Sequence, residues 1–336
     1  MSVKNNAVVR RILNLRWDIM EKHRLMAESR AQANRFNRFY SRTYSKGIGQ
    51  VETQILFHTH QVEKGLSHDD FRPGFGKAVL RSLAVMLERL RGEDRHYADN
   101  EVYRMAVSVL HEYVRRHQEM RFDLGYMKSI FPDPLWNEIL ACGDSMAGSR
   151  LMPGDTKRDN EQATFAQIAR GRYAVREYAE QPVTSEELLQ AVELSMKTPS
   201  VCNRQASRVH IVLDRQLIQR LLDIQGGYRG YPTPPALVLV SSDLRAFLNH
   251  TERNEPYVDG GLFAMSLLYS LEYYGLAACP LNAMFDKAKS SATRPLIGLP
   301  DYEVPVMYIA VGHFAEESRV CKSARFSAKR ITTVIE

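Results

Sequence analysis

Three separated segments in the second half of the chain carry groups that could hold a charged, planar ligand. In the first segment, Arg172 and Arg176 follow the end of a predicted helix. Residues four apart in an extended chain point the same way, so both guanidinium groups could contact one anion or one electron-rich ring. A solvated surface cluster is the alternative that this segment alone leaves open.

The second and third segments offer hydrogen-bonding groups rather than charge. Asn203 and Gln205 lie between a predicted helix and a predicted strand, and their amides can donate and accept at the edge of a heterocycle. An ordinary capped loop would have the same composition. In the third segment Gly275 ends an apolar helix, and Pro280 is predicted to force a turn after a short strand. Backbone N–H groups beyond that turn would then be available to a ligand.

The first half of the chain has helical spacing throughout, with apolar residues at steps of three and four. This spacing predicts four helices, over residues 8–42, 51–65, 77–91 and 101–117. No strand is predicted before residue 160, and the stretch 150–160, which contains proline and glycine, is predicted to be a linker. We therefore expect an all-helical N-terminal domain over residues 1–158 and a second domain over residues 159–336.

The second domain mixes helices and strands. Helices are predicted over residues 161–170, 184–196 and 259–274, and strands over residues 208–214, 235–241 and 304–312. The helix at residue 184 has its own start signal, because Thr184 and Glu187 have the spacing of a capping box. Helices and strands do not alternate strictly, so the predicted class is α+β.

Taken in chain order, five short motifs resemble the nitroreductase family of FMN enzymes. They are Arg172–Arg176, Pro199–Gln205, Gly275–Pro280, Gly298–Pro300 and Ala310–Gly312. Each motif is loose, but five in the correct order with sensible spacing are fairly specific. The resemblance covers residues 162–336. It implies an FMN-binding fold, a mixed sheet flanked by helices, that follows the all-helical N-terminal domain.

The resemblance implies where the phosphate of FMN would lie. Arg172 and Arg325 would contact the phosphate, and Arg176 would lie at the pyrimidine side of the flavin, where the reduced ring carries negative charge. Two departures weaken this site. Ala174 replaces the usual Ser or Thr, and Ser323 stands where the family has the lysine of a Lys-x-Arg pair. Each lost contact would cost about 1 to 3 kcal/mol if it were charged or buried.

The resemblance also implies which residues surround the flavin ring. Asn203 and Gln205 would lie at the ring edge, and the backbone of Leu281, Asn282 and Ala283 would face N5, the atom where hydride arrives and leaves. No catalytic side chain is assigned. The complete set expected around the cofactor is Arg172, Tyr173, Ala174, Arg176, Ser200, Asn203, Gln205, Pro280, Leu281, Asn282, Ala283, Ser323 and Arg325.

The activity implied is that of an FMN-dependent oxidoreductase, which takes hydride from NADH or NADPH and passes it to a small-molecule acceptor. Family members are homodimers that hold FMN at the subunit interface, and helix 259–274 is a candidate for the dimer core. The departures at Ala174, Ala206 and Ser207 motivate an alternative. A flavin fold with little activity could act as a scaffold whose basic helical half docks a partner or an anionic surface.

The charge of the chain is concentrated at its N-terminus. The formal net charge is +6, and residues 1–46 hold eleven Lys or Arg and three acidic residues, an excess of eight positive charges. Such a segment can contact nucleic acid or a membrane surface. The solvated face of a helix is the favoured interpretation, and aromatic residues among the arginines are expected to pack against a neighbouring helix.

The remaining polar residues give weaker signals. The four cysteines are widely spaced, which predicts thiols rather than a zinc site, and no apolar run is long enough to cross a bilayer. A cytoplasmic location is expected. His58 and His60 do not share a helix face, so no metal site is predicted around them and Glu63. The stretch 58–76 is expected to be an ordered loop that docks onto the second domain, or one that closes a substrate pocket.

Overall fold

The computed structural model describes residues 7–42, 44, 45 and 47–336, and the chain forms two compact units. The sheet unit comprises the chain up to Tyr40 together with residues 181–312. The helical unit comprises residues 41–180 together with residues 313–336. Each unit is therefore built from two separate parts of the chain. The predicted boundary between residues 158 and 159 divides the chain by family resemblance, and it stays a prediction.

The sheet unit is organised around four strands in the order β2-β3-β5-β4. These strands are β2 (Ser207–Val212), β3 (Ala236–Asp243), β4 (Leu276–Asn282) and β5 (Glu303–His313). β3 pairs antiparallel with both β2 and β5 and is buried at every position. A central strand that is covered on both faces needs an apolar run rather than an alternating one, and the sequence of β3 begins with such a run.

The sheet unit also contains the helices α1 (Ala7–Phe39), α8 (Ser185–Ser195), α9 (Arg215–Gln225), α10 (Glu255–Tyr273) and α11 (Lys287–Ile297). Helix α10 packs on β3, β4 and α8, and buries Phe263, Leu267 and Leu271 in the core of its own unit. The Thr184 hydroxyl accepts from the Glu187 N–H, so the predicted capping box at α8 is confirmed.

Helix α1 is mostly exposed in spite of its apolar content. Its side chains Ile12, Leu15 and Trp17 are each more than half exposed. Polar contacts hold the helix to residues 250–254, and the hydrogen bond from His250 Nδ1 to Glu21, 2.7 Å long, lowers the pKa of that carboxyl. Residues 1–6, 43 and 46 of the predicted basic segment lie outside the described residues.

The helical unit has a separate core. Its helices are α2 (Ile48–Leu66), α3 (Lys77–Glu93), α4 (Glu101–Glu119), α5 (Gly125–Ile130), α6 (Asp133–Ala141), α7 (Phe165–Gly171) and α12 (Ala328–Ile331). Helix α4 is central, and Tyr113 on it is fully buried with its hydroxyl 2.6 Å from that of Tyr126. Burial raises the pKa of Tyr113. The helices predicted at 51–65, 77–91 and 101–117 are confirmed, whereas α5 and α6 were not predicted.

A two-stranded sheet in the helical unit corrects two expectations. Strand β1 (Ser149–Pro153) pairs antiparallel with β6 (Glu317–Cys321), so the prediction of no strand before residue 160 is wrong. The predicted linker 150–160 begins inside β1. A five-residue strand is too short to leave a clear period in the sequence. Its partner lies near the C-terminus, so no local signal indicates the pairing.

The stretch 58–76 also differs from its prediction. It is helical as far as Leu66, in agreement with the helix predicted over residues 51–65, so only the residues after Leu66 can belong to the expected loop. Beyond the helix, His68 Nδ1 lies 3.2 Å from a carboxylate oxygen of Glu177.

Within the described part of the chain, none of the helices combines the length and apolarity that a bilayer-spanning segment requires.

Replacing Gly154 would test the close backbone approach at the end of the β1–β6 ladder. Its N–H donates to the Glu316 carbonyl at 2.8 Å, and a Cβ there would lie 2.1 Å from the Ala315 carbonyl oxygen. Because that neighbour is backbone, we expect Gly154→Ala to lower the free energy of unfolding by about 1 to 3 kcal/mol in urea denaturation. Gly92→Ala, in α3 with open space around it, should instead raise stability by up to about 1 kcal/mol. Equal stability of the two variants would contradict this geometry.

Candidate functional site

The residues predicted to surround a cofactor fall into two sets, one in each unit. The helical unit contains Arg172, Tyr173, Ala174, Arg176, Ser323 and Arg325. The sheet unit contains Ser200, Asn203, Gln205, Pro280, Leu281, Asn282 and Ala283.

Arg172 begins the extended segment that follows α7. Thr164 and Gln167 cap the start of α7. Arg172 is the first residue after the helix, and its backbone is extended, with φ −74° and ψ 123°. The prediction that these arginines leave a helix for an extended stretch is therefore confirmed. Arg172 Nη1 is buried and has no hydrogen-bond partner. A buried guanidinium nitrogen without an acceptor is costly, so this atom marks a place where an anion would be stabilising.

The Arg176 guanidinium, unlike Arg172 Nη1, has contacts within the protein. It is buried, and its Nη1 lies 3.5 Å from the Cys321 sulfur and 3.4 Å from the Ala174 carbonyl oxygen. None of the four cysteines, all of which are described, takes part in a disulfide.

Tyr173 lines a cavity of about 510 Å³ in the helical unit. Arg150 lies over its ring, 5.2 Å from the centroid, and donates to its hydroxyl at 3.0 Å. Lys157 and Arg170 also line this cavity, together with the acidic Asp159, so its charged lining residues carry an excess of positive charge. Arg150 and Lys157 were not predicted as site residues, because they precede the motifs and lie in the presumed linker.

Ser323 and Arg325 line a second cavity in the helical unit, of about 330 Å³, together with Thr59, His60 and Glu63. Ser323 has φ 47°, in the left-handed region, and its carbonyl accepts a hydrogen bond from Arg325 Nη1. The sequence could not pair this C-terminal segment with α2, since the contact depends on the β1–β6 ladder.

The loop from Ser200 to Gln205 in the sheet unit is strained. Cys202, Asn203 and Gln205 have φ of 48°, 55° and 53°. Left-handed conformations cost roughly 1 to 2 kcal/mol per residue outside glycine, and less for asparagine. With Ser323, these three make up four of the five non-glycine residues with positive φ in the described chain. Backbone strain of this kind concentrates at binding sites, which supports a ligand-binding role for both segments.

Hydrogen bonds hold the strained loop in place. The Gln205 N–H donates to the Ser200 hydroxyl at 2.9 Å, and the Val201 N–H donates to the buried Asp259 carboxylate, 3.2 Å from each oxygen. The Asn203 side chain is exposed. Asp259 lies in the apolar helix α10, and a buried carboxylate needs a hydrogen-bond donor. An acidic residue within an apolar helix was therefore the signal in the sequence that could have indicated this role.

The segment around Pro280 corrects the predicted turn. Strand β4 continues through Pro280 to Asn282, because β4 is at the edge of the sheet, where a residue without an N–H can be accommodated. The Asn282 side chain accepts from the Met284 N–H at 2.7 Å. Ala283 is buried and lines a cavity of about 550 Å³ with Gln32 and other residues of the sheet unit. Gln32 of α1 was not predicted as a site residue.

Comparison with known proteins confirms the resemblance that the five motifs predicted. Residues 169–227 and 231–313 match the Nitroreductase family model. An FMN reductase [NAD(P)H] of Bacillus subtilis (strain 168) is 24% identical over 160 residues, which is 43% of this chain. The match spans 64% of that protein, less than two thirds of its length.

Solved structures of low identity are also similar in part. A nitroreductase family protein of Clostridium difficile 630 is 20% identical, with a TM-score of 0.41, over 51% of this chain and 98% of the other. An FMN-dependent nitroreductase of Clostridium difficile R20291 is 16% identical, with a TM-score of 0.41, over 49% and 94%. The predicted α+β class, with helices α2–α6 before the main sheet, is confirmed.

Strain in the loop can be measured by replacing Cys202, whose side chain is exposed. Glycine adopts a positive φ without steric cost, so Cys202→Gly should raise the free energy of unfolding by up to about 1 kcal/mol. Val201 is not in the left-handed region, and Val201→Gly should lower stability by roughly 1 kcal/mol. Thermal and urea unfolding would report both changes, and a loss of stability in both variants would show that Cys202 is unstrained.

Proposed function

We propose that this chain, whose residues 169–313 carry the nitroreductase family match, is an FMN-dependent oxidoreductase that transfers hydride from NADH or NADPH to a small-molecule acceptor. The observation that carries the proposal is the buried Nη1 of Arg172, which has no acceptor and lies in the first matched motif. The relative named as an FMN reductase [NAD(P)H] supports the choice of cofactor and reductant.

The helical-unit residues fit the phosphate end of FMN. A phosphate oxygen would accept a charge-assisted hydrogen bond from Arg172 Nη1, which would satisfy the unpartnered donor. Arg325 is exposed and would supply a second guanidinium. Ala174 offers no hydroxyl, so the phosphate is held by fewer side-chain donors than the family pattern provides. Arg172 is therefore expected to carry a larger share of the phosphate affinity.

By the family resemblance, Asn203, Gln205 and the backbone of residues 281–283 would line the ring of the flavin. When bound, FMN supplies the hydride chemistry, and no catalytic side chain has to be assigned. Asn203 presents an exposed amide from a loop that Asp259 anchors through the Val201 N–H, so the loop backbone is held in place before a ligand arrives. The buried cation of Arg176 would stabilise negative charge on the reduced ring.

A homodimer and a cytoplasmic location belong to the same proposal. The exposed apolar side chains of α1, among them Ile12, Leu15 and Trp17, provide a surface that a second subunit could cover. Helix α10 remains a candidate for the dimer core, since Val258 and Leu262 on it are about half exposed. The family match favours the oxidoreductase over the scaffold alternative.

Arg172→Ala should weaken FMN binding by about 10- to 100-fold, because a charge-assisted hydrogen bond is worth about 1.5 to 3 kcal/mol. The measurement is a titration of flavin-free protein with FMN, followed by the quenching of flavin fluorescence. Arg158→Ala removes an exposed arginine of the same unit and should leave the affinity unchanged.

Turnover separates a binding role from a structural one. With saturating FMN, Arg172→Ala should recover most of the rate of NADPH oxidation, because the side chain contacts the phosphate and not the reacting ring. An Arg172→Ala protein that binds FMN as tightly as the parent chain would contradict the assignment of the phosphate site.

A further inference from the structure

Helix α2 presents two potential metal ligands one turn apart. His60 and Glu63 are three residues apart, and His60 Nδ1 lies 3.3 Å from Glu63 Oε2. The Glu63 side chain is 4% exposed, and its other oxygen accepts from the Gly148 N–H at 3.0 Å. A buried carboxylate is normally paired with a cation or bound to a metal ion. His58, which projects elsewhere, is bonded to Gln61 instead.

Strand β6 brings a third ligand to the same place. The sulfur of Cys321, the imidazole of His60 and the carboxylate of Glu63 have ligand atoms that all lie within 4.8 Å of one another. Ligand atoms around a tetrahedral zinc ion are about 3.3 to 3.8 Å apart, given bonds of about 2.0 to 2.3 Å. The separation of His60 and Glu63 already falls in that range, so small side-chain rotations would complete the geometry.

We propose that His60 Nδ1, Glu63 Oε2 and Cys321 Sγ form a binding site for a zinc-class divalent cation in the helical unit. A set of one nitrogen, one oxygen and one sulfur donor suits Zn²⁺ or Co²⁺, whereas Mg²⁺ and Ca²⁺ prefer oxygen ligands throughout. Three protein ligands leave the fourth tetrahedral position to water or to an anionic oxygen. The site adjoins two residues of the proposed flavin site, because Arg176 contacts Cys321 and Arg325 lines the same cavity as His60 and Glu63. Cation binding by the three ligands itself needs no flavin.

The surroundings of the three ligands point independently to a bound group. Thr59 is 4% exposed, its hydroxyl has no hydrogen-bond partner, and it lines the same 330 Å³ cavity as His60 and Glu63. Thr59 and Glu63 are four residues apart on one helix face. A metal-bound water in this cavity would provide the partner that the Thr59 hydroxyl lacks.

Neighbouring groups would orient the ligands. The Gly148 N–H fixes one carboxylate oxygen of Glu63 and leaves the other directed towards His60. Arg176 Nη1 donates to the Cys321 sulfur at 3.5 Å and so restrains the position of that ligand. Contacts of this kind to metal ligands typically change metal affinity by 10- to 100-fold.

The test is a titration of the full chain, stripped with a chelator, with Zn²⁺ in a calorimeter. We expect one equivalent of Zn²⁺ to bind. His60→Ala should weaken binding by more than about 100-fold, because losing a direct ligand should cost more than losing a contact to a ligand, which costs about 10- to 100-fold. The His60 side chain is 46% exposed, so its removal leaves no buried cavity. His58→Ala, two residues away on the same helix, is the matched control and should bind Zn²⁺ like the parent chain.

Cobalt detects the sulfur ligand in the parent chain, and two cysteine variants then identify which sulfur it is. The difference spectrum of the parent chain with and without Co²⁺ cancels any flavin absorbance, and should show a thiolate-to-cobalt charge-transfer band. Cys321→Ser should lose this band, and Cys142→Ser should keep it. Failure of the parent chain to bind stoichiometric Zn²⁺, a cobalt spectrum without the thiolate band, or equal loss of binding in His58→Ala and His60→Ala would each overturn the proposal.

Discussion

The antiparallel pairing of β1 with β6 is the constraint on which the helical unit depends. It places Ser149 opposite Cys321, and the Lys322 N–H extends the contact by donating to the Gly148 carbonyl at 2.8 Å. Gly148 in turn donates to Glu63, so the ladder, α2 and the C-terminal segment meet at one place. Closing so long a loop costs entropy, although the cost grows slowly with loop length, and the buried core of α2, α3 and α4 must outweigh it.

Backbone strain and one unpartnered buried donor occur where the motifs predicted a ligand. The loop around Asn203 and the segment at Ser323 hold left-handed residues, and Arg172 holds a buried donor without an acceptor. Such features persist only when the surrounding structure enforces them, as Asp259 and the β1–β6 ladder do. A phosphate would recover the lost hydrogen bond of Arg172, and a bound metal with its water would do the same for Thr59. The two proposed sites thus share one physical argument, a buried polar atom without a hydrogen-bond partner.

The sequence predicts those parts of the fold that local burial dictates. Helices α2, α3 and α4 and strands β3 and β5 were found because each buries a face or a continuous run, and burial imposes a period on the sequence. The β1–β6 pairing was missed because each strand is short and its partner is distant in sequence. The turn at Pro280 was wrong because the position of β4 at the sheet edge is a property of the whole sheet. Motif order indicated the cofactor residues, but neither the buried Nη1 of Arg172 nor the approach of Cys321 to Glu63 can be seen without the fold.

The most direct test of the oxidoreductase proposal is a visible absorption spectrum of the purified protein, recorded before and after anaerobic addition of NADPH or NADH. We expect a flavin band, present in the protein as isolated or after incubation with FMN, that bleaches when a nicotinamide is added. Protein that takes up no FMN, or a bound flavin that neither nicotinamide reduces, would contradict the proposal.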